Sequence, residues 1–190
     1  MQFIVKERFY RSFTYYFKNM KKIIFTLLIL ISGFLNAQNT AVFEAARTND
    51  LKTIEKFIKE GNDINVLNSS GYSLLILSVY NNNYEVVAYL ISQKANLDIQ
   101  DTSGNSALMG ACFKGYSSLA EQLLLHKASP DLVNDNKANA LFFAATFGQV
   151  KCVEILLKYK INTNQMDVFG KTALDYAVNQ ENDAIISLLK

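Results

Sequence analysis

The sequence predicts an all-α solenoid of about five 33-residue helix–turn–helix units, joined by short β-hairpin-like turns and filling residues 38–190. Two observations carry this prediction. The chain repeats: Gly71, Gly104, Lys137 and Gly170 follow one another at intervals of 33 residues. Three residues before each stands Asn68, Asp101, Asn134 or Asp167, and four residues after each stands Leu75, Leu108, Leu141 or Leu174. Small residues follow at Ser78, Ala111, Ala144 and Ala177, and one period earlier Val42, Ala45 and Ala46 keep the register. Within each unit, moreover, the apolar spacing is helical. Such a unit cannot bury both of its faces alone, and stacking on its neighbours buries them.

The second unit shows the elements in order. Leu74, Leu75, Ser78 and Val79 give a first short helix with a narrow face of small residues. Val86, Val87, Leu90 and Ile91 give a second helix at i, i+1, i+4, i+5 spacing. Asn81, Asn82 and Asn83 lie between them, where Gly115 and Gly148 supply the turn in the next two units. The small face lets neighbouring first helices approach closely.

Composition agrees with one packed domain. Of 190 residues, 50% are hydrophobic, 12% aromatic and 19% charged, so wholesale disorder is excluded. Two cysteines exclude a disulfide framework, and one histidine excludes most metal sites and triads. Asparagine is abundant, with 19 residues, and reads as a coding bias without chemical meaning. Charge is uneven. Residues 1–37 hold six Lys/Arg against one Glu, a net of +5, whereas residues 38–190 hold thirteen against sixteen acidic residues, a net of −3. The basic character belongs to the leader, so the body is not expected to bind nucleic acid.

Lys21 and Lys22 precede an apolar run from Ile23 to Ile31, followed by Ser32, Gly33 and Leu35-Asn36-Ala37. A basic start, an apolar core and a small residue before a polar chain make a secretory signal over residues 20–37, cut between Ala37 and Gln38. Met20 is then the expected start, with residues 1–19 an upstream extension. The alternative is a retained membrane anchor, which the 13-residue stretch from Ile23 to Leu35 disfavours because a span needs ~20 residues; after cleavage no membrane attachment is expected. The segment resembles bacterial export signals, which implies a periplasmic or secreted protein.

Asp101-Thr102-Ser103-Gly104-Asn105-Ser106-Ala107-Leu108, followed by Gly115, Leu123, Leu124, Ala128 and Asp131, resembles the ankyrin repeat. Asp167-Val168-Phe169-Gly170-Lys171-Thr172-Ala173-Leu174 resembles it again in the fifth unit. The family proline is replaced by Leu74, Ala107, Ala140 and Ala173, and the family histidine by Ile76, Met109, Phe142 and Asp175. The hydrogen bonds of Thr-Pro-Leu-His turns are therefore expected to be largely missing. Gly61 keeps the glycine after the second helix, but Lys94, Lys127 and Lys160 replace it, at about 0.5–1 kcal/mol each for a left-handed helix end.

Little in the chain suggests chemistry, and no catalytic residue, cofactor or metal is expected. His126, between Leu125 and Lys127, reads as a surface histidine at a helix C-terminus, where positive charge is favoured. Cys112 and Cys152 occupy core positions and read as buried free thiols, with a disulfide as the alternative in an oxidising compartment. Phosphate-loop and serine-nucleophile motifs are missing.

The ankyrin resemblance implies a protein partner that meets the hairpin tips and the exposed face of the first helices. The positions carried over include Tyr72, Tyr80, Asn81, Asn105, Phe113, Lys114, Thr146, Phe147, Phe169 and Lys171. Their aromatic rings form an expected interaction row, since aromatics are enriched in interfaces. The resemblance thus implies a non-enzymatic, monomeric scaffold or adaptor. The stretch from Ala107 to Gly115 also resembles bacterial ankyrin proteins encoded beside catalase genes, which implies support of a catalase in oxidative-stress defence. The alternative function is an inhibitor or immunity protein that masks a toxin or hydrolase in the periplasm.

Overall fold

A computed structural model describes residues 40–190; the leader, the extension at residues 1–19 and the expected cut before Gln38 lie outside the described residues. The described residues hold ten helices that pair into five units. The first helices are α1 (residues 40–48), α3 (Leu74–Tyr80), α5 (Ala107–Lys114), α7 (Ala140–Thr146) and α9 (Ala173–Asn179). The second helices are α2 (Leu51–Lys59), α4 (Tyr84–Ser92), α6 (Ser117–Leu125), α8 (Val150–Lys158) and α10 (Asp183–Leu189). First helices pack on first helices and second on second, as the 33-residue period requires, and contact is denser along the first row. The hairpins carry antiparallel bridges only at Leu67–Ser73 and Gln100–Ser106 among the described residues.

The dense first row follows from its small residues. Ala46, Ser78, Ala111, Ala144 and Ala177 are fully buried between neighbouring helices. Ser78 can be buried there because its hydroxyl donates to the Leu74 carbonyl at 2.8 Å and also lies 3.2 Å from the Ala46 carbonyl. Asn83 Nδ2 donates to the same Ala46 oxygen at 2.8 Å and ties the second unit to the first. The second row buries the spaced set that the pattern indicates: Val86, Val87 and Leu90 in α4, Leu119 and Leu123 in α6, Val153 and Leu156 in α8. Each such side chain contributes about 1.5–3 kcal/mol on burial.

Each hairpin is organised by one side-chain oxygen. Asn68 Oδ1 accepts from the amides of Ser70 (2.9 Å) and Tyr72 (3.0 Å). Asp101 does the same for Ser103 and Asn105, both at 2.9 Å. Asn134 accepts from Asn136 and Ala138, both at 3.0 Å, and Asp167 from Phe169 at 2.9 Å and Lys171 at 3.0 Å. These Asx turns explain why Asn or Asp stands three residues before each left-handed position. Gly104 sits there at φ +78°, and a Cβ on it would come within 2.8 Å of the Asp135 amide nitrogen in the next hairpin. Lys137 takes the same conformation at φ 59°. Adjacent hairpins are joined by backbone bonds from Thr102 to Ser70, Asp135 to Ser103 and Val168 to Asn136.

Two sequence expectations are corrected. The hydrogen bonds expected to be missing with Thr-Pro-Leu-His are partly present. Ser73, Ser106 and Thr172 accept from the third helical amide (Ile76, Met109, Asp175), and Asn139 accepts from Leu141. Any short oxygen-bearing side chain can fill this N-cap role, so loss of the family proline and histidine does not remove it. Asp175, at the family histidine position, completes a capping box by accepting from the Thr172 amide at 2.7 Å. Asparagine, in turn, is more than a coding bias. Asn49 and Asn82 take left-handed turns at φ 60° and 57°, one period apart. Asn65 Oδ1 accepts from the Asn96 amide at 2.9 Å, and Asp98 and Asp131 repeat that bond one and two periods on. The left-handed ends read from Lys94, Lys127 and Lys160 are found, at φ 63°, 71° and 59°.

Ala111→Leu or Ala144→Leu should overpack the first row and lower unfolding free energy by about 1–3 kcal/mol. Urea melts measure this; no loss in either variant would contradict the packing register.

Candidate functional site

A cavity of about 610 Å³ opens between the hairpin tips of units three to five and the first helices. Ser103, Asn105, Asn134, Asp135, Asn136 and Ala138 come from the tips of units three and four. Phe142, Phe143, Thr146 and Phe147 come from α7 and its C-cap. Asp167 and Phe169 come from the fifth hairpin, and Tyr176 from α9. Phe143 and Phe147 stand four residues apart and so share one helical face.

The rings interlock. Phe113 meets Phe147 edge-on with centroids 4.6 Å apart, and meets Phe143 at 6.5 Å. Phe142 meets Tyr176 at 5.7 Å. Phe147 remains 50% exposed and Phe169 78% exposed. Two rings of this surface carry a cation of the chain: Lys114 Nζ lies 5.5 Å from the Phe113 centroid, and Lys171 Nζ 5.9 Å from that of Tyr176.

The hairpin side of the cavity is fixed by polar bonds. Asn134 Nδ2 donates to Asn105 Oδ1 at 3.0 Å, linking the third and fourth tips. The Tyr176 hydroxyl donates to Asp167 Oδ2 at 2.5 Å, tying α9 to the fifth hairpin. Burial alone would raise the Asp167 carboxyl, but the Tyr176 hydroxyl and the Lys171 and Phe169 amides outweigh it and hold that carboxyl below the usual range. The same bond to Asp167, with burial second, pushes the Tyr176 phenol up.

The residues singled out from sequence fall into three groups. Asn105, Thr146, Phe147 and Phe169 line the cavity, and Phe113 packs against it through Phe147. Lys114 and Lys171 are exposed at its edge. Tyr72, Tyr80 and Asn81 belong to the second unit and do not line it. Tyr72 and Tyr80 are half-buried and pair edge to face at 6.3 Å. The Tyr80 ring lies over Gly110, where a Cβ would come within 2.9 Å of Cε2. Expected as an exposed contact, Tyr80 instead covers α5, and burial pushes its phenol up. Asn81 Nδ2 is turned to its own helix, donating to the Leu77 carbonyl at 2.8 Å.

Sequence reading missed Phe142, Phe143 and Tyr176. Phe143 and Tyr176 are one period apart and match Leu77 and Gly110, so a register comparison would have exposed the change from Leu and Gly to aromatic.

The other candidates have structural roles. His126 is exposed as the C-cap of α6, and its Nδ1 donates to the Gln122 carbonyl at 2.9 Å. Cys112 and Cys152 are free and fully buried, and hydrogen bonding between them, aided by burial, pushes the Cys112 thiol well up. Among the described residues no cluster of His, Cys, Asp or Glu could hold a metal ion, and no helix is long and apolar enough to cross a membrane.

A family model described as ankyrin repeats (3 copies) matches residues 18–101, 42–128 and 108–190. No curated protein matches the chain. The helix pairs, the 33-residue register and this match agree: the chain belongs to the ankyrin repeat family, whose arrays are generally non-enzymatic modules for binding other proteins.

Proposed function

We propose that this chain is an exported, non-enzymatic adaptor that holds a protein partner in the aromatic groove of units three to five. The observation that carries the reading is the exposure of Phe147 and Phe169 beside a cavity walled by further rings. Exposed aromatic surface of this kind favours association, and binding energy concentrates on such rings near the centre of an interface. Phe113 is half-buried between Phe143 and Phe147, so its truncation would disturb packing as well as binding. Phe147 and Phe169 are the better probes.

The double change Phe147→Ala and Phe169→Ala should leave helical circular dichroism and the melting midpoint nearly unchanged. It should weaken a partner captured from a periplasmic extract by ~2 kcal/mol or more, enough to lose it from a pull-down. A folded double variant that still captures the partner would refute the groove as the site. Capture of a catalase would give the adaptor a role in oxidative-stress defence; capture of a toxin or hydrolase would make it a masking inhibitor. The catalase reading is carried by the resemblance of the stretch from Ala107 to Gly115. Within that stretch Gly110 is accounted for by the Tyr80 ring and Gly115 by the left-handed end of α5.

Export rests on the pattern from Met20 to Ala37. Mass spectrometry of the mature protein should find an N-terminus at Gln38 in the periplasm or medium. An intact leader on a cytosolic protein would contradict it.

A further inference from the structure

Resting on the proposal that the groove binds a protein, we infer that it is specific for a segment presenting an arginine side chain, held between the Phe147 and Phe169 rings and the Asp135 carboxylate. The charged residues lining the cavity are two carboxylates, Asp135 and Asp167, and its lining includes no lysine, arginine or histidine. Asp167 is already engaged by the Tyr176 hydroxyl and the Phe169 and Lys171 amides. Asp135 is exposed and differs. Its amide donates to the Ser103 carbonyl at 3.2 Å, but its carboxylate makes no hydrogen bond or ion pair among the described residues.

The rings point to the same chemistry. The chain's own lysines lie over Phe113 and Tyr176, so this surface already holds cations against aromatic faces. Among the described residues none lies over Phe147 or Phe169, the two most exposed rings of the site. A guanidinium suits this combination better than an ammonium. It is planar and weakly hydrated, stacks on aromatic faces, and presents paired N–H groups to a carboxylate. An acidic side chain would meet Asp135 with no cation in the lining to offset it. A cavity of about 610 Å³ also leaves space for residues flanking the arginine.

The test uses a displayed library of random peptides selected on the full chain, followed by fluorescence anisotropy. Selected peptides should carry an arginine beside apolar residues. Replacing that arginine by citrulline, its neutral isostere, should weaken binding about tenfold or more. Asp135→Asn should do the same, and the two changes together should cost little beyond either one, because both break one pair. Selected peptides without arginine, or unchanged binding to the Asp135→Asn variant, would overturn the inference. If Phe147→Ala with Phe169→Ala still removes their binding, the groove stands as the docking site and only its specificity is wrong. Binding that survives both ring truncations overturns the groove itself, as does a selection that yields no binder.

Discussion

One side-chain oxygen per unit sets the geometry on which the rest of the array depends. In each hairpin an Asn or Asp oxygen accepts two backbone amides, those two and four residues further on. That pair of bonds closes the turn through a left-handed position and delivers the chain to the N-cap of the first helix. The N-cap then fixes where the helix starts, and hence which side chains face the neighbouring unit. Because the acceptor recurs every 33 residues, the small residues Ser78, Ala111, Ala144 and Ala177 fall into one buried row. The hairpin tips likewise stack closely enough to bond one another. Local polar bonding and long-range packing are therefore one constraint seen at two scales.

The groove is a departure from that uniformity, built without breaking it. One register position reads Leu77, Gly110, Phe143 and Tyr176 along the array. Leu77 is buried, and at Gly110 the missing side chain is replaced by the Tyr80 ring from the preceding unit. In the last two units the same position carries aromatic rings that wall the cavity. The second unit thus ends in a self-covered surface and units three to five in an open one. A repeat scaffold allows this because a side chain on the hairpin face can change while the buried row stays the same.

Much of the fold was legible in the sequence, because the period is fixed by backbone geometry and that geometry selects residue types strongly. Asn68, Asp101, Asn134 and Asp167 marked the turns, and Lys94, Lys127 and Lys160 marked left-handed helix ends despite lacking glycine's freedom. The capping bonds were underestimated because the family motif was read as fixed letters, whereas an N-cap needs only an oxygen on a short side chain. The abundance of asparagine was put down to coding because composition hides position: beyond Asn68 and Asn134 at the hairpins, Asn49 and Asn82 take left-handed turns and Asn65 bonds the following unit. The site was only partly legible. Phe147 and Phe169 follow from their place in the repeat, whereas Phe143 and Tyr176 pass for ordinary core aromatics by residue type and stand out only when the units are compared in register against Leu77 and Gly110. Tyr80 was placed outward because the sequence does not show that Gly110 opens a berth for it.

The claim that the Asx oxygen, and not side-chain size or charge, holds each hairpin is tested most directly at Asn68. Its Oδ1 accepts the Ser70 and Tyr72 amides, and Asp does the same work at positions 101 and 167. Chemical denaturation of Asn68→Asp and Asn68→Ala separates oxygen from bulk. The account predicts that Asn68→Asp stays within ~0.5 kcal/mol of the parent, while Asn68→Ala loses about 1–3 kcal/mol through the loss of two hydrogen bonds. Equal loss in both variants, or none in Asn68→Ala, would contradict it.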